Sequence, residues 1–294
     1  MPDTPAASLR IDANGLRFHV LEAGSGDRLA LLLHGFPELA FSWRHQLPVL
    51  AQEGWRAWAV DLRGYGESDR PVGRDEYAIE KLLDDVAALI DASGARETWL
   101  IGHDWGGVIA WLFAMRRLRP LARLTVMNLP HPACFERALR HGLRQRLRSW
   151  YVLFFQLPWL PEKLLGAGGA RMIGRAFSDM AVHKERFPEE LLDVYRRAAL
   201  APGALTAMVN YYRAIVSGGG ARRQRSLGYP KIDVPTLVIW GERDTALGVE
   251  TLEGTDEFVT QLTLHRLPDA SHWVQQDAPD EVNALLVQWS RSLG

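Results

Sequence analysis

Gly102-His103-Asp104-Trp105-Gly106-Gly107 lies between two apolar runs, Thr98-Trp99-Leu100-Ile101 and Val108-Ile109-Ala110-Trp111-Leu112-Phe113. The first run reads as a buried strand and the second as the start of a buried helix. The chain must turn sharply between them, and its small residues permit the turn. The pattern Gly-x-Asp-x-Gly has the layout of the Gly-x-Ser-x-Gly nucleophile elbow, with Asp104 in the serine's place. Such a turn lifts one side chain over a helix N-terminus, where the positive end of the helix dipole favours an anion. A carboxylate held there is a nucleophile that forms an ester. Taken alone, the motif is equally satisfied by an Asp104 that only N-caps the following helix.

Upstream of the elbow, Leu9–Asp12 and Leu16–Glu22 alternate around Asn14-Gly15, which predicts a hairpin. Leu29–Leu33 is a continuous apolar run that predicts a central strand and ends at His34-Gly35-Phe36-Pro37-Glu38. Trp55–Val60 predicts another strand, followed by the glycine-rich Arg63-Gly64-Tyr65-Gly66-Glu67-Ser68-Asp69. Ile79, Leu82, Leu83, Val86, Ala87 and Ile90 recur at helical spacing, with Gly94 suited to the helix end. Downstream, Leu124–Asn128 is the sixth predicted strand. Residues 133–229 then show helical patches, breakers and no convincing strand, with Gly218-Gly219-Gly220 read as flexible and exposed. Pro235–Trp240 and Gln261–Leu267 resume the strand pattern, with helices expected over Gly248–Phe258 and Glu281–Leu293. The expected architecture is α/β: a mostly parallel sheet covered on both faces, with a helical insertion after the sixth strand. The boundaries read as core 1–132, helical cap 133–229 and core 230–294.

Composition bounds the function. At 294 residues, 47% hydrophobic and 23% charged, the chain is an ordinary globular one, long enough to bury a large core. A net charge of −1 makes no case for nucleic acid or acidic partners. The one cysteine, Cys134, forms no intrachain disulfide and suits a reducing compartment, so a cytoplasmic protein is expected. Met1–Ser8 lacks the pattern of a signal peptide, and no apolar run reaches the roughly 20 residues of a membrane span. The eleven tryptophans can line an apolar pocket or fill a core, and the pocket is the expected use. Cys134 and the nine histidines show no metal-ligand spacing, so neither metal nor cofactor is expected.

In open α/β sheets the ligand sits at the carboxyl ends of the strands. The loop after Leu33, the elbow, Asp244 after Trp240 and His272 after Leu267 all fall there. The order nucleophile, acid, histidine makes His272 a candidate general base and Asp244 the group that orients it. Singly, Asp244 reads equally as a turn residue and His272 as a loop histidine. Three such residues in order at strand ends make a coincidence much harder to sustain.

Together, His34-Gly35-Phe36-Pro37-Glu38, Arg63-Gly64-Tyr65-Gly66-Glu67-Ser68, Gly102-His103-Asp104-Trp105-Gly106-Gly107 and His272-Trp273 resemble the motifs of epoxide hydrolases of the α/β-hydrolase fold. The resemblance covers nearly the whole chain outside the insertion. It implies an oxyanion hole from the Phe36 and Trp105 N–H groups, and a Phe36-Pro37 bond that is commonly cis. It also implies two cap tyrosines that hold the epoxide oxygen, carried here by Tyr151 and Tyr212, with Tyr211 and Tyr195 as competitors. Phe36, Trp105, Tyr151 and Tyr212 would bind the substrate, a small apolar epoxide, and a homodimer is left open. A serine esterase is disfavoured by Asp104. Haloalkane dehalogenation shares the aspartate and is the alternative, with Trp105 and Trp159 or another cap tryptophan as halide donors. A ligand receptor with little turnover is a third reading.

Overall fold

The computed structural model describes residues 6–293. The first residues of the Met1–Ser8 segment therefore lie outside the described part. The chain opens with β1 (Ala7–Ala13) and β2 (Leu16–Ala23), paired antiparallel with Ala13 opposite Leu16. Asn14 and Gly15 both take positive φ, 48° and 72°, as a type I′ hairpin turn requires. Then follow β3 (Arg28–Leu33), α1 (Leu47–Gln52), β4 (Arg56–Val60), α2 (Ile79–Ser93), β5 (Glu97–His103), α3 (Trp105–Arg116) and β6 (Arg123–Met127).

Between β6 and the next strand come α4 (Pro132–His141), α5 (Leu143–Arg148), α6 (Trp150–Phe154), α7 (Leu160–Met180), α8 (Glu189–Leu200), α9 (Ala204–Ile215) and α10 (Gly220–Ser226). Residues 167–170 interrupt α7 with non-helical backbone. The chain closes with β7 (Thr236–Gly241), β8 (Leu262–Leu267), α11 (Val274–Asp277) and α12 (Pro279–Ser292).

The sheet order is β1-β2-β4-β3-β5-β6-β7-β8. Only β1–β2 and β2–β4 pair antiparallel; every other pair is parallel. The central strands are apolar without interruption because both faces are covered. On β3, Leu29, Leu31 and Leu33 pack toward α2 and α3, while Ala30 and Leu32 pack toward α1 and α12. The first of these cores runs on into the helices between β6 and β7, through Ile173, Phe177, Tyr195 and Met208. The α/β-hydrolase architecture expected from the sequence is present.

Three local expectations are overturned. The stretch 248–258 holds two short 3-10 turns, Val249–Leu252 and Thr255–Glu257, because Gly254 at φ 76° breaks the backbone between them. The glycine triplet is no free linker: Gly219, at φ 75°, caps α10, which Gly220 opens. The tryptophans mainly fill the core, where Trp43, Trp55, Trp99, Trp111, Trp240 and Trp273 are fully buried. Trp105 is the tryptophan that lines the central cavity.

Candidate active site

Asp104 joins β5 to α3 with φ 47° and ψ −118°, a left-handed backbone that costs a non-glycine residue on the order of 1–3 kcal/mol. Its side chain makes no N-cap bond, so simple capping does not explain it. One carboxylate oxygen, Oδ1, accepts the Phe36 N–H at 2.8 Å. The turn closes only because glycines let backbones approach. A Cβ at Gly106 would overlap the Leu33 carbonyl, and one at Gly35 would overlap Asp104 itself. The Trp105 N–H opens α3, where the first donors of a helix have no intrahelical partner. The Phe36-Pro37 peptide bond is cis.

His272 lies in the loop between β8 and α11. Its Nε2 is 3.7 Å from Asp104 Oδ2, and its Nδ1 is 2.7 Å from Asp244 Oδ2. Asp244 also accepts the N–H groups of Ala246 and Leu247 on Oδ1 and the Asn128 amide on Oδ2. Burial alone would raise the Asp244 pKa, but His272 and these donors hold it below the usual value. Burial likewise pulls the His272 pKa down. The Asp244 charge and hydrogen bond, with smaller help from Asp104 and Glu38, overcome it and raise it to about 9.

A second buried layer supports the first. Glu38 is fully buried; its Oε2 accepts the Gly35 N–H and pairs with His103 Nδ1 at 2.6 Å. Its Oε1 accepts the side-chain amides of Gln275 and Gln276. Burial opposes the charge of Glu38, yet His103 and the Gly35 N–H bring its pKa down to about 2. His103 Nε2 in turn donates to the His272 carbonyl at 2.8 Å. One carboxylate thus ties the Phe36 loop, the elbow strand and the His272 loop together. Asp277 extends this by accepting the N–H groups of Ser271, Val182 and His183.

Asp104 forms the floor of a cavity of about 290 Å³ lined by Trp105, Leu129, Tyr151, Val152 and Tyr212. The Tyr151 and Tyr212 rings are 5.9 Å apart, centroid to centroid, and nearly perpendicular. Burial and then the Asp104 charge raise the pKa of both phenols, so both hydroxyls stay protonated donors. The competitors point elsewhere. The Tyr211 hydroxyl donates to the Arg63 carbonyl at 2.8 Å. The Tyr195 hydroxyl bonds Gln276 and Ser42. Trp150 and Trp159, the tryptophans between β6 and β7, are mostly exposed and absent from the cavity wall, so neither supplies an indole donor beside Trp105. No cluster of metal-ligating side chains occurs among the described residues.

Sequence reasoning assigned no role to Asn128, Glu38 or His103. Asn128 ends β6 at φ 41° and clamps Gly241 as well as Asp244. Its only sequence signal is a polar residue at a strand's carboxyl end. Glu38 and His103 stand inside the quoted motifs, but nothing in the sequence pairs them.

Residues 31–279 match the family described as the alpha/beta hydrolase fold. Human Epoxide hydrolase 4 is 41% identical over 285 residues, covering 95% of this chain and 76% of the human protein. Epoxide hydrolase 3 of Xenopus tropicalis is 38% identical over 287 residues, covering 95% of this chain and 76% of the frog protein. The crystal structure of a Bacillus megaterium epoxide hydrolase in complex with an inhibitor superposes with a TM-score of 0.89 at 31% identity, covering 96% of this chain and 100% of that one. An Asp-His-Asp arrangement below an apolar cavity, on this fold and with these relatives, has one consistent reading: the chain belongs to the epoxide hydrolases of the α/β-hydrolase fold.

Proposed function

We propose that the protein converts a small apolar epoxide and water to a vicinal diol through a hydroxyalkyl ester on Asp104. The observation that carries the reading is the position of the Asp104 carboxylate. It faces the cavity that Tyr151 and Tyr212 line, with His272 Nε2 3.7 Å behind it. Asp104 attacks one epoxide carbon, and the C–O bond of the ring breaks. Tyr151 and Tyr212 donate to the ring oxygen as it becomes an alkoxide, and one of them supplies its proton. His272, oriented by Asp244, then takes a proton from water, which attacks the Asp104 carboxyl carbon. The Phe36 and Trp105 N–H groups stabilise the resulting oxyanion. The acyl C–O bond breaks, the departing alkoxide takes the remaining proton of the attacking water, and the diol leaves with one original Asp104 oxygen. The carboxylate is restored with the oxygen of water, and the proton held by His272 returns, by way of solvent, to the tyrosinate.

The order of events has an electrostatic logic. Before alkylation the Asp104 charge helps hold a proton on His272. The ester is neutral, so that help ends when the base is needed.

The helices from Pro132 to Ser226 serve in this reading as a cap, bounded near 133 and 229, that supplies the tyrosines and closes the cavity. The substrate body packs on apolar side chains such as Leu129, Val152 and Ile215, and the reaction uses no metal or cofactor. A cytoplasmic location is part of the proposal, which leaves a homodimer open. The deciding assay offers styrene oxide, a long aliphatic epoxide and a bromoalkane, and reads diol and bromide. Diol release is expected to dominate. Faster bromide release would favour dehalogenation, and absence of any turnover would favour a receptor.

A further inference from the structure

The helices α5 and α6 expose apolar side chains on the side away from the protein. Ser149 alone joins the two short helices, at φ −86° and ψ 13°. Inward, Gln145 is buried and bonds the Gly248 N–H and the Ala246 carbonyl, Phe155 is buried, and Tyr151 and Val152 line the cavity. Outward, Leu143, Leu147, Trp150 and Leu153 follow one another at helical spacing. Each of these four, and Trp159 beyond them, is more than 60% exposed. An exposed apolar cluster of this kind on a globular protein marks an interaction surface.

The charge on α5 itself has one sign: its charged residues are Arg144, Arg146 and Arg148. Residues 137–161 contain five arginines and no aspartate or glutamate; Arg137 and Arg140 pair with Glu257 and Glu136, at 3.0 and 3.4 Å. Among the described residues no carboxylate lies within ion-pair distance of Arg144, Arg146 or Arg148. Exposed leucine and tryptophan interleaved with unpaired arginine is the composition of a helix that lies in a membrane interface. A second copy fits less well, because pairing this face about a two-fold axis would set arginines against arginines. No described helix is long and apolar enough to cross a membrane, so contact would be with the surface.

We propose that the outer face of α5 and α6 docks on an anionic lipid bilayer. Leu143, Leu147, Trp150 and Leu153 enter the boundary between headgroups and acyl chains, and the exposed Arg144 and Arg146 meet lipid phosphates. The chemistry of the cavity gives the surface a use. Tyr151 and Val152 on α6 and Leu139 on α4 line the cavity, directly behind the docking face. An apolar epoxide partitions into lipid, so docking would bring the cavity to where such a substrate concentrates. That use rests on the proposed function; the docking itself rests on the surface alone.

The test is co-sedimentation of the full chain with vesicles of phosphatidylcholine, or of phosphatidylcholine with phosphatidylglycerol, at low and high salt. Wild type is expected to pellet with the anionic vesicles, less at high salt, and much less with phosphatidylcholine alone. Leu147→Ser combined with Leu153→Ser is expected to lower the partition coefficient roughly tenfold or more. Arg144→Glu is expected to weaken binding to the anionic vesicles only. Circular dichroism checks that each variant is folded, and Leu143→Ser on α5 carries the test should the double variant not fold. Wild type that pellets with neither vesicle, or a folded double variant that pellets like wild type, would overturn the proposal. So would a wild-type dimer that the leucine substitutions split and that ignores lipid, which would assign the face to a second copy. Binding is read without turnover, so failure of the epoxide chemistry leaves this result legible.

Discussion

Asp104 Oδ2 lies 3.7 Å from His272 Nε2, while Asp104 Oδ1 accepts the Phe36 N–H at 2.8 Å. The first distance exceeds a normal hydrogen bond and the second is a good one. The carboxylate is therefore held by the loop that would stabilise its oxyanion in the proposed mechanism, and stands apart from the proposed base. That separation suits a nucleophile that needs no deprotonation and a histidine that acts on water in the second step.

His272 is held near pKa 9 in the resting site, above its ordinary 6.5, partly by the Asp104 charge. Asp104→Ala removes a raising influence, so the His272 titration followed by NMR should move downward from about 9. The ester is likewise uncharged. Its hydrolysis in single turnover should therefore rise with pH to a plateau, with an inflection below about 9, as neutral imidazole forms. An unchanged His272 pKa in Asp104→Ala would remove the proposed timing of the base.

His272→Gln should leave alkylation possible and stop the second half. Loss of a general base costs roughly 10²–10⁴ in rate, so the enzyme should accumulate at a mass increased by that of the substrate. Intact-protein mass spectrometry reads this directly. A folded variant with no adduct and no turnover would place His272 in the first step.

Tyr151→Phe and Tyr212→Phe should each slow alkylation, by up to roughly 10²–10³ where the remaining tyrosine does not compensate. Ester hydrolysis should change much less. Tyr211→Phe is the control, because its hydroxyl is already committed to the Arg63 carbonyl. That change should cost about 1 kcal/mol of stability and leave the alkylation rate near wild type. Stopped-flow tryptophan fluorescence separates the two steps. If Tyr211→Phe were the slow variant, the second donor would be Tyr211.

Asn128→Ala tests the support beneath the triad. It removes one of the donors that hold Asp244 ionised and unpins Gly241. A loss of about 1–3 kcal/mol in stability is expected, from denaturant midpoints. Ester hydrolysis should slow more than alkylation, since Asp244 acts through His272. Equal slowing of both steps would point to general damage at the strand ends.

How legible this was in the sequence follows from how local each signal is. The β3, β5 and β7 strands are buried on both faces, so each is written as an unbroken apolar run ending at a chemical residue. Asn14-Gly15 announces its turn because only such residues sit easily at two successive positive φ values. The Asp104-His272-Asp244 set was readable because strand ends meet at one edge. The choice between Tyr211 and Tyr212 was not, since adjacent residues on α9 differ by a rotation that packing decides. The Asn128–Asp244 and Glu38–His103 contacts join residues far apart in the chain and leave no periodic trace. The 248–258 segment failed for a local reason, a left-handed Gly254 inside a stretch that otherwise suits a helix.

The central claim is that the protein, and not water, first bonds to the epoxide carbon. Single turnover in ¹⁸O-labelled water, with enzyme in excess over epoxide, tests it most directly. The ester route takes the second diol oxygen from Asp104 and replaces it from water. Peptide mass spectrometry should therefore find the label in the peptide carrying Asp104, and the first diol should be unlabelled. Label found wholly in the first diol, with Asp104 unlabelled, would mean that water attacks the epoxide directly and would contradict the account.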